Sequence, residues 1–343
     1  MPKPAPTLGL PLWCMTFRFL LVTLFTGDDP ANIRARGVAM KVLVVEDSYI
    51  ERHKLGLCLT EWGLEYTAVS SGNDAVKLVE APNPPDLALL DWLLPGMDGI
   101  DVLRRIRKLT QGSYVYTIML TAKNRKQDRM LAMEAGADDY LSKPVDAAEL
   151  RSRIMVGKRI LELQQSLRFA ATHDFLTNLL NRSEILAALE REVARGGRDG
   201  NPAAIILCDV DHFKRINDTL GHAAGDEVLK EVARRLKTDL RPYDVVGRYG
   251  GEEFLLILPG CNLINGAKRA EEIRKLVCAQ PIKTPFGTSS VTISIGVTAG
   301  CDDKRSVCDL LREADLSLYA AKKNGRNRIE VFTAGQSAGA SQS

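Results

Sequence analysis

The segment RYGGEEF, residues 248–254, places two carboxylates directly behind a pair of glycines. The glycine pair separates two extended runs, Val245 to Tyr249 and Glu252 to Leu258, and is typical of a two-residue hairpin turn with positive φ. Carboxylates at the start of a strand are either solvated surface groups or ligands for a hard cation. The segment alone leaves both interpretations open.

A second pair of acids follows an apolar run further upstream. Residues 203–208, AAIILC, predict a buried strand, and Asp209 and Asp211 come directly after it. If this strand lies beside the glycine hairpin, Asp209 and Glu252 can share Mg²⁺, which proteins hold with one or two carboxylates together with phosphate oxygens. The spacing therefore predicts a site for a nucleoside triphosphate.

Basic and polar side chains near these acids have the types that a nucleotide requires. Lys214, Lys322 and Arg326 are candidate phosphate contacts, and an arginine can bind phosphate in a forked geometry. Asn217 and Asp226 could recognise guanine, because a carboxylate accepts from N1–H and the amino group while an amide pairs with O6 or N7. Taken alone, Lys322 and Arg326 would equally be the solvated end of an amphipathic helix.

A different set of polar residues lies in the first half of the chain. Strands are expected within residues 41–48, 64–70, 86–99, 114–123 and 137–144, with helices such as 72–80 and 98–108 between them. This alternation predicts a parallel sheet with helices on both faces and functional groups beyond the carboxyl ends of its strands. The polar residues at those ends are Glu46, Asp47, Asp91, Thr121 and Lys143. Three carboxylates suit Mg²⁺, and a lysine with a hydroxyl would stabilise a phosphoryl group on one of them.

The segment between the two halves predicts a helix with a short apolar seam. The seam residues are Val156, Ile160, Leu163, Leu167 and Ala170, spaced alternately by four and three. Such spacing is typical of a helix that pairs with its own copy, the alternative being a helix packed on its own domain. Gly157 is a candidate hinge within this helix.

Length and composition limit the function classes. The 343 residues predict about two domains, and 45% hydrophobic residues are enough for real cores. A formal charge of +3 gives no electrostatic case for nucleic-acid binding. The seven cysteines include no C-x-x-C pair, which predicts small core residues in a reducing cytoplasm rather than disulfides or a zinc site.

The two ends of the chain are predicted to lie outside the domains. Residues 1–39 contain an apolar run that Pro11 and Arg18 interrupt, without a signal-type cleavage site. We expect a disordered leader or a misassigned start there, with a membrane-interface anchor as the alternative. The low-complexity tail, residues 334–343, is expected to be disordered.

Residues 40–157 resemble a receiver domain of two-component response regulators. The resemblance implies a doubly wound, flavodoxin-like parallel fold, with Asp91 as the phosphate acceptor and a histidine kinase or phosphotransfer protein as its partner. It also implies one Mg²⁺, held by Glu46, Asp47, Asp91 and the Leu93 carbonyl. The implied switch residues are Thr121, Tyr140 and Lys143, the last before a cis-proline at Pro144.

Residues 172–333 resemble a GGDEF domain of the diguanylate cyclase family, with the glutamate variant of the signature at Gly250–Phe254. The opening DFLTNLLNR, residues 174–182, resembles the family's first motif, with Asn178 in place of the usual glycine. The family fold is a ferredoxin-like α/β domain related to nucleotide cyclases. Residues 158–171 would then be a connector helix between the two domains.

The resemblance implies roles for the residues described above. Two Mg²⁺ ions are held by Asp209, the Val210 carbonyl and Glu252, which is also the general base. Glu253 supports the metal and phosphate region, and Lys214 stabilises charge in the transition state. The implied substrate contacts are Phe213, Asn217, Asp226, Lys322 and Arg326.

Arg241 and Asp244 form an R-x-x-D arrangement just upstream of the signature, the position of the family's allosteric inhibitory site. An arginine can fork onto a guanine edge or a phosphate. Taken alone, R-x-x-D is a common ion pair in a turn or helix. At this distance from the signature we expect inhibition by the product.

The expected reaction is the condensation of two GTP into cyclic di-GMP with release of two pyrophosphates. Each domain binds one GTP, so a homodimer is expected, with phosphorylation of Asp91 favouring it. The first alternative is a catalytically silent module that binds cyclic di-GMP through Arg241 and Asp244 and signals by protein contact. The second is a cyclase that also accepts ATP, against which Asp226 argues because adenine N1 is an acceptor.

Overall fold

The computed structural model describes residues 40–109, 114–122, 126–300 and 305–333. The predicted leader, residues 1–39, and the predicted tail, residues 334–343, lie outside the described residues and stay predictions. The chain divides into two compact units, Met1–Gln164 and Gln165–Ser343. Within the described ranges, no helix is long and apolar enough to span a membrane.

The first unit contains a five-stranded parallel sheet. Its strands are β1 Lys41–Val45, β2 Glu65–Val69, β3 Leu87–Asp91, β4 Tyr116–Thr121 and β5 Asp139–Ser142. Their order in the sheet is β2-β1-β3-β4-β5, and every neighbouring pair is parallel. This order is that of flavodoxin-like doubly wound folds, which confirms the predicted fold class of this unit.

Helices cover both faces of this sheet. They are α1 Tyr49–Glu61, α2 Gly72–Val79, α3 Gly99–Lys108, α4 Lys126–Glu134 and α5 Ala147–Thr172. Alternate strand residues point to opposite faces, so Leu43 and Val45 belong to one core while Val42 and Val44 belong to the other. Strands β3 and β4 are buried along their whole length, as expected for a parallel sheet that is covered on both faces.

Strand β1 ends at Val45, before the two acids that were predicted to end it, whereas β3 ends at Asp91 as predicted. The side chain of Ser48 caps α1 by accepting from the Glu51 N–H. Glu46 and Asp47 therefore lie in the loop between β1 and α1, and Asp91 is the last residue of its strand.

The second unit is built on a mixed five-stranded sheet. Its strands are β6 Ala203–Val210, β7 Val245–Arg248, β8 Glu253–Pro259, β11 Ile293–Ala299 and β12 Ile329–Val331, in the order β12-β11-β6-β8-β7. A separate antiparallel pair consists of β9 Ile282–Thr284 and β10 Gly287–Ser289. The helices are α6 Arg182–Asp199, α7 Phe213–Leu220, α8 His222–Thr238, α9 Leu263–Cys278 and α10 Val307–Lys323. This is the α/β arrangement expected for the second domain.

Strand β6 is the central strand and is buried along its whole length. Ile206 and Cys208 lie in the core that also contains residues of α8 and α9, whereas Ile205 and Leu207 lie in the core with residues of α6 and α10. β6 is antiparallel to both neighbours, β8 and β11. The carboxyl end of β6 is therefore held rigidly beside two other strands.

The predicted connector, residues 158–171, lies inside the uninterrupted helix α5. Four of the five seam residues on α5 are exposed, Val156 by 49%, Ile160 by 37%, Leu163 by 57% and Leu167 by 70%, which favours pairing with a copy over packing on its own domain. The hinge at Gly157 stays a prediction. Gly157 is buried, and a Cβ there would lie 2.7 Å from the ring of Tyr116, so this glycine permits close packing of α5 on the sheet.

Candidate functional site

Three carboxylates converge at the carboxyl end of the parallel sheet. Glu46, Asp47 and Asp91 each offer an oxygen within 4.8 Å of the others. Glu46 and Asp91 are buried, whereas Asp47 is exposed. Carboxylate oxygens in this arrangement fit Mg²⁺, a hard cation that prefers oxygen ligands.

Lys143 provides the positive charge of this cluster. Its Nζ lies 2.7 Å from Glu46 Oε2 and 2.9 Å from Asp91 Oδ1. Burial raises the pKa of the Glu46 carboxyl, and the charge on Asp91 adds to the rise although Lys143 opposes it. One ammonium among three carboxylates leaves a negative excess, so the charge of the cluster also fits a divalent cation.

The other residues predicted to act in the receiver lie near this cluster or on the same sheet. Thr121 is buried at the end of β4, and its carbonyl accepts from the Lys143 N–H at 2.8 Å. The Lys143–Pro144 peptide is cis, as predicted. Tyr140 is half-buried on β5 against one of the two cores, and Leu93 is exposed in the loop after Asp91.

In the second unit, β6 brings Asp209 between its two neighbouring strands. Asp209 is in register with Glu253 on β8 and with Ser294 on β11. The Val210 N–H donates to the carbonyl of Glu252 at 3.2 Å. The predicted adjacency of these two acid-bearing segments is confirmed.

The loop between β7 and β8 differs from the predicted turn. The N–H groups of Tyr249 and Gly250 both donate to the carbonyl of Glu253, at 2.8 and 3.2 Å. Neither Gly250 nor Gly251 has a φ in the left-handed region, so the predicted two-residue turn with positive φ is wrong. A Cβ on Gly250 would collide with the Glu253 carboxylate, whereas Gly251 faces open space. The first glycine therefore makes room for the Glu253 side chain.

Lys322 on α10 is the cation of this site, with its Nζ 2.7 Å from Asp209 Oδ2. Burial raises the pKa of Asp209, Glu252 and Glu253. The charge on Asp209 raises the pKa of both glutamates further, while Lys322 lowers it. Carboxylate oxygens are the donors that Mg²⁺ prefers, and Asp209 acts electrostatically on both glutamates, so these side chains are of the type that holds Mg²⁺ together with phosphate oxygens.

Helices α7 and α8 meet beside this site at Gly225. A Cβ on Gly225 would collide with Asn217 Oδ1, and it would lie 3.1 Å from the ring of Phe213. The exposed Asp226 is the next residue along α8, so the close approach brings the two predicted guanine contacts to one place. Phe213, which the resemblance implies as a substrate contact, is itself buried in the core beneath these helices. Gly225 is not among the predicted site residues, although a glycine within an amphipathic helix often has a packing reason.

The predicted phosphate contacts Lys214 and Arg326 are both exposed. Arg326 follows α10 and has φ of 61°, and the next residue, Asn327, has φ of 47°. His212, which precedes α7, has φ of 57°. Non-glycine residues with positive φ are uncommon and concentrate at functional sites. Three of them in these loops therefore support the prediction that the loops belong to a binding site.

Asp211 is buried, and no function was predicted for it from the sequence. Its carboxylate accepts from Ser294 Oγ at 2.6 Å, from Thr292 Oγ1 at 2.7 Å and from the Asn327 N–H at 3.0 Å. Asn327 is 116 residues away in the sequence, so no local pattern could have indicated this contact.

Arg248 connects the loop between β7 and β8 to Asp174, near the start of the second unit. Its Nη1 lies 3.1 Å from both carboxylate oxygens of Asp174, and its Nε and Nη2 donate to the Gly251 carbonyl at 3.1 and 2.7 Å. Asn178 in the same opening motif has φ of 54°, a conformation that asparagine tolerates better than most residues. This explains structurally how asparagine replaces the glycine there.

The R-x-x-D residues form a turn. The Arg241 N–H donates to Asp244 Oδ2 at 2.9 Å, and the Asp244 N–H donates to the Arg241 carbonyl at 3.0 Å. The exposed guanidinium of Arg241 lies 3.3 Å from the hydroxyl of Tyr243. The Asp244 carboxylate therefore contacts the backbone of Arg241, while the guanidinium contacts Tyr243.

Comparisons with known proteins agree with this two-part organisation. The response regulator receiver domain family matches residues 42–155, and the GGDEF diguanylate cyclase domain family matches residues 171–328. Response regulator PleD of Caulobacter vibrioides is 34% identical over 309 residues, which are 87% of this chain and 67% of PleD. Diguanylate cyclase DgcP of Pseudomonas aeruginosa is 43% identical over 164 residues, 48% of this chain and 24% of DgcP.

Among solved structures, the coiled coil and GGDEF domain of DgcB from Caulobacter crescentus in complex with c-di-GMP matches with a TM-score of 0.49 and 33% identity, covering 54% of this chain and 97% of that one. The alignment with PleD covers 87% of the chain, and the two family matches lie one after the other along the chain. The chain belongs to the response-regulator diguanylate cyclases, in which a receiver domain precedes a GGDEF domain.

Proposed function

We propose that this diguanylate cyclase condenses two GTP into cyclic di-GMP and two pyrophosphates under the control of its receiver domain. The observation that carries the proposal is the meeting of Asp209, Glu252 and Lys322 at the ends of neighbouring elements. The guanine-type pair, Asn217 and Asp226, lies on the two helices that follow the Asp209 strand. Acids, phosphate-binding cations and base-reading groups are the three components that a GTP site requires.

Binding of GTP rests on complementary hydrogen bonds and charge. Asp226 accepts from guanine N1–H and the amino group, and Asn217 pairs with O6 or N7. Lys322 and Arg326 contact the phosphates, with the arginine in forked geometry. Asp209, the Val210 carbonyl and Glu252 would hold two Mg²⁺ ions, which supply charge neutralisation for the triphosphate when bound.

Glu252 is the group best suited to accept the proton from the attacking hydroxyl. Burial and the charge on Asp209 raise the pKa of Glu252, which makes this carboxylate a stronger base. The 3′ oxygen of one GTP forms a bond to the α-phosphorus of the other, and the bond from that phosphorus to pyrophosphate breaks. Lys214 stabilises the charge that develops during this step.

Two chains are needed for a complete reaction. Each cyclase domain binds one GTP, and each 3′ hydroxyl must reach the α-phosphorus of the other nucleotide. The exposed apolar seam on α5 supports a homodimer, since a second copy would remove Leu163 and Leu167 from water.

The proposed domain limits follow the boundaries expected from the sequence. Residues 40–157 form the receiver, residues 158–171 the connector and residues 172–333 the cyclase. A histidine kinase or phosphotransfer protein donates a phosphoryl group to Asp91, where Thr121 and Lys143 stabilise it. Tyr140 is the aromatic switch residue of the receiver. The Mg²⁺ of the receiver has Glu46, Asp47, Asp91 and the Leu93 carbonyl as its candidate ligands.

Product inhibition is the proposed role of the R-x-x-D turn. The exposed guanidinium of Arg241 is available to a guanine edge or phosphate of cyclic di-GMP, and Asp244 stabilises the turn that presents it.

Incubation of the full chain with Mg²⁺ and either GTP or ATP tests the proposed reaction. Mass analysis should find cyclic di-GMP from GTP and no cyclic dinucleotide from ATP, and Glu252→Gln should abolish the product. If the unmodified chain forms no product but binds cyclic di-GMP, and Arg241→Ala removes that binding, the catalytically silent alternative is correct.

A further inference from the structure

The loop Asn324–Arg328 after α10, named here the phosphate loop, has an unusual backbone. Arg326 and Asn327 have φ of 61° and 47°, in the left-handed region that most residues avoid. Consecutive residues in this region persist only when surrounding contacts fix them. The direction of the Arg326 side chain therefore depends on the groups that anchor its neighbours.

Asp211 provides one anchor from beneath the loop. Its Oδ2 accepts from the Asn327 N–H at 3.0 Å and from Thr292 Oγ1 at 2.7 Å, while its Oδ1 accepts from Ser294 Oγ at 2.6 Å. The residue is only 5% exposed. All three partners are donors, and they connect the loop to the strand beside β6.

Arg274 provides a second anchor from α9. Its Nη1 lies 2.5 Å from Asn327 Oδ1, so the backbone and the side chain of the same residue are held by different elements. Glu271 orients Arg274 through two hydrogen bonds, of 2.8 and 2.7 Å. The Arg326 N–H donates to the Ala321 carbonyl at 3.0 Å, which connects the loop to the end of α10.

We propose that Asp211 and Arg274 are positioning residues that hold the phosphate loop in the conformation in which Arg326 contacts the phosphates of GTP. Asp211 acts through its three hydrogen bonds and is not a metal ligand, although it is two residues from Asp209. The inference deepens the proposed function, since it rests on the role of Arg326 in GTP binding.

Asp211→Asn distinguishes a role of Asp211 in hydrogen bonding from a role as a metal ligand. An asparagine oxygen can keep accepting from the Asn327 N–H and the Thr292 hydroxyl, while its amide nitrogen donates to the Ser294 hydroxyl. Two of the contacts survive unchanged and the third survives with its direction reversed, although the charge is lost. Asp211→Ala removes all three contacts. A hydrogen-bonding role tolerates the first change and not the second, whereas a metal ligand tolerates neither.

The test is the dissociation constant of the full chain for a fluorescent GTP analogue with Mg²⁺. Arg326→Ala and Asp211→Ala should each weaken binding about tenfold, and the double variant should bind no more than about twofold more weakly than Arg326→Ala. Asp211→Asn should stay within about threefold of the unmodified chain. A double variant near one hundredfold weaker, or Asp211→Asn as weak as Asp211→Ala, would overturn the proposal.

Asn327→Gly keeps the inference testable if Asp211→Ala does not fold. Glycine retains the backbone N–H and accepts the positive φ, but it removes the Oδ1 acceptor of Arg274. It should weaken GTP binding about threefold in the unmodified chain and leave it unchanged in Arg326→Ala. Unchanged binding in both backgrounds would overturn the role of Arg274. Intact GTP binding without formation of cyclic di-GMP would refute the proposed function alone.

Discussion

At the scale of single residues, the charge balance of the cyclase site depends on Lys322. It is the ammonium found beside Asp209, and Lys322 also lowers the pKa of Glu252 and Glu253 against the effects of burial and repulsion. Removing one partner of a partly buried ion pair leaves the other charge without compensation. The residue is therefore expected to affect substrate binding more than folding.

Lys322→Gln should weaken binding of GTP by about ten- to one-hundredfold, because a phosphate contact is lost and the negative excess at Asp209 grows. Binding of a fluorescent GTP analogue measures the effect. Lys323→Gln is the matched control, since Lys323 is an exposed lysine on the same helix. Equal affinity of the two variants would remove Lys322 from the phosphate site.

At the scale of elements, the sequence predicts what local patterns determine. The apolar runs of β6 and β8 are distinctive, and an acid directly after or before each run indicates that Asp209 and Glu252 can meet. The loop at Gly250 differs from the predicted turn because the Tyr249 and Gly250 N–H groups both donate to the Glu253 carbonyl, whereas the dipeptide alone favours a positive-φ turn. Asp211 and Gly225 were missed because their partners are brought to them only by packing of separate elements.

Gly157→Ala tests the packing of α5. A Cβ would lie 2.7 Å from the Tyr116 ring and 3.1 Å from a methyl group of Leu87, so overpacking should lower the stability of the first unit by about 1–3 kcal/mol. Thermal unfolding measures the change, with Arg159→Ala at an exposed position of the same helix as the control. An increase in stability would instead favour the hinge, because alanine rigidifies an unstrained helix.

Glu231 on α8 makes stability depend on pH. Hydrogen bonds from Arg234 and then Arg235 lower its pKa from 4.5 to about 2 against the effect of burial. A lowered folded-state pKa means that the stabilisation is complete above pH 4.5 and is lost as the pH falls towards 2. Glu231→Gln should therefore lower the unfolding midpoint at pH 7, with the difference from the unmodified chain shrinking progressively below pH 4.5. A difference that is constant with pH would contradict this assignment.

At the scale of the whole molecule, α5 is the element that links the two family matches. It starts at Ala147 within the receiver match and ends at Thr172 within the cyclase match. Its exposed apolar residues favour a dimer, which the proposed condensation of two GTP also needs. Phosphorylation can regulate such an enzyme if it shifts a receiver equilibrium towards the paired state.

Leu163→Glu with Leu167→Glu tests the seam directly. Like charges facing each other across a paired helix should shift the chain towards monomer and lower turnover per chain, with partial recovery at higher protein concentration. Sedimentation and product formation at several concentrations measure both effects. Gln165→Glu adds a charge at an exposed position between them and should change neither.

The most direct measurement is formation of cyclic di-GMP from GTP and Mg²⁺ by the full chain, with and without beryllofluoride as a mimic of phosphorylated Asp91. We expect cyclic di-GMP as the product, faster formation of it with the mimic, and no acceleration by the mimic in Asp91→Asn. A rate that the mimic leaves unchanged, from a chain that is fully active as a monomer at low concentration, would contradict it.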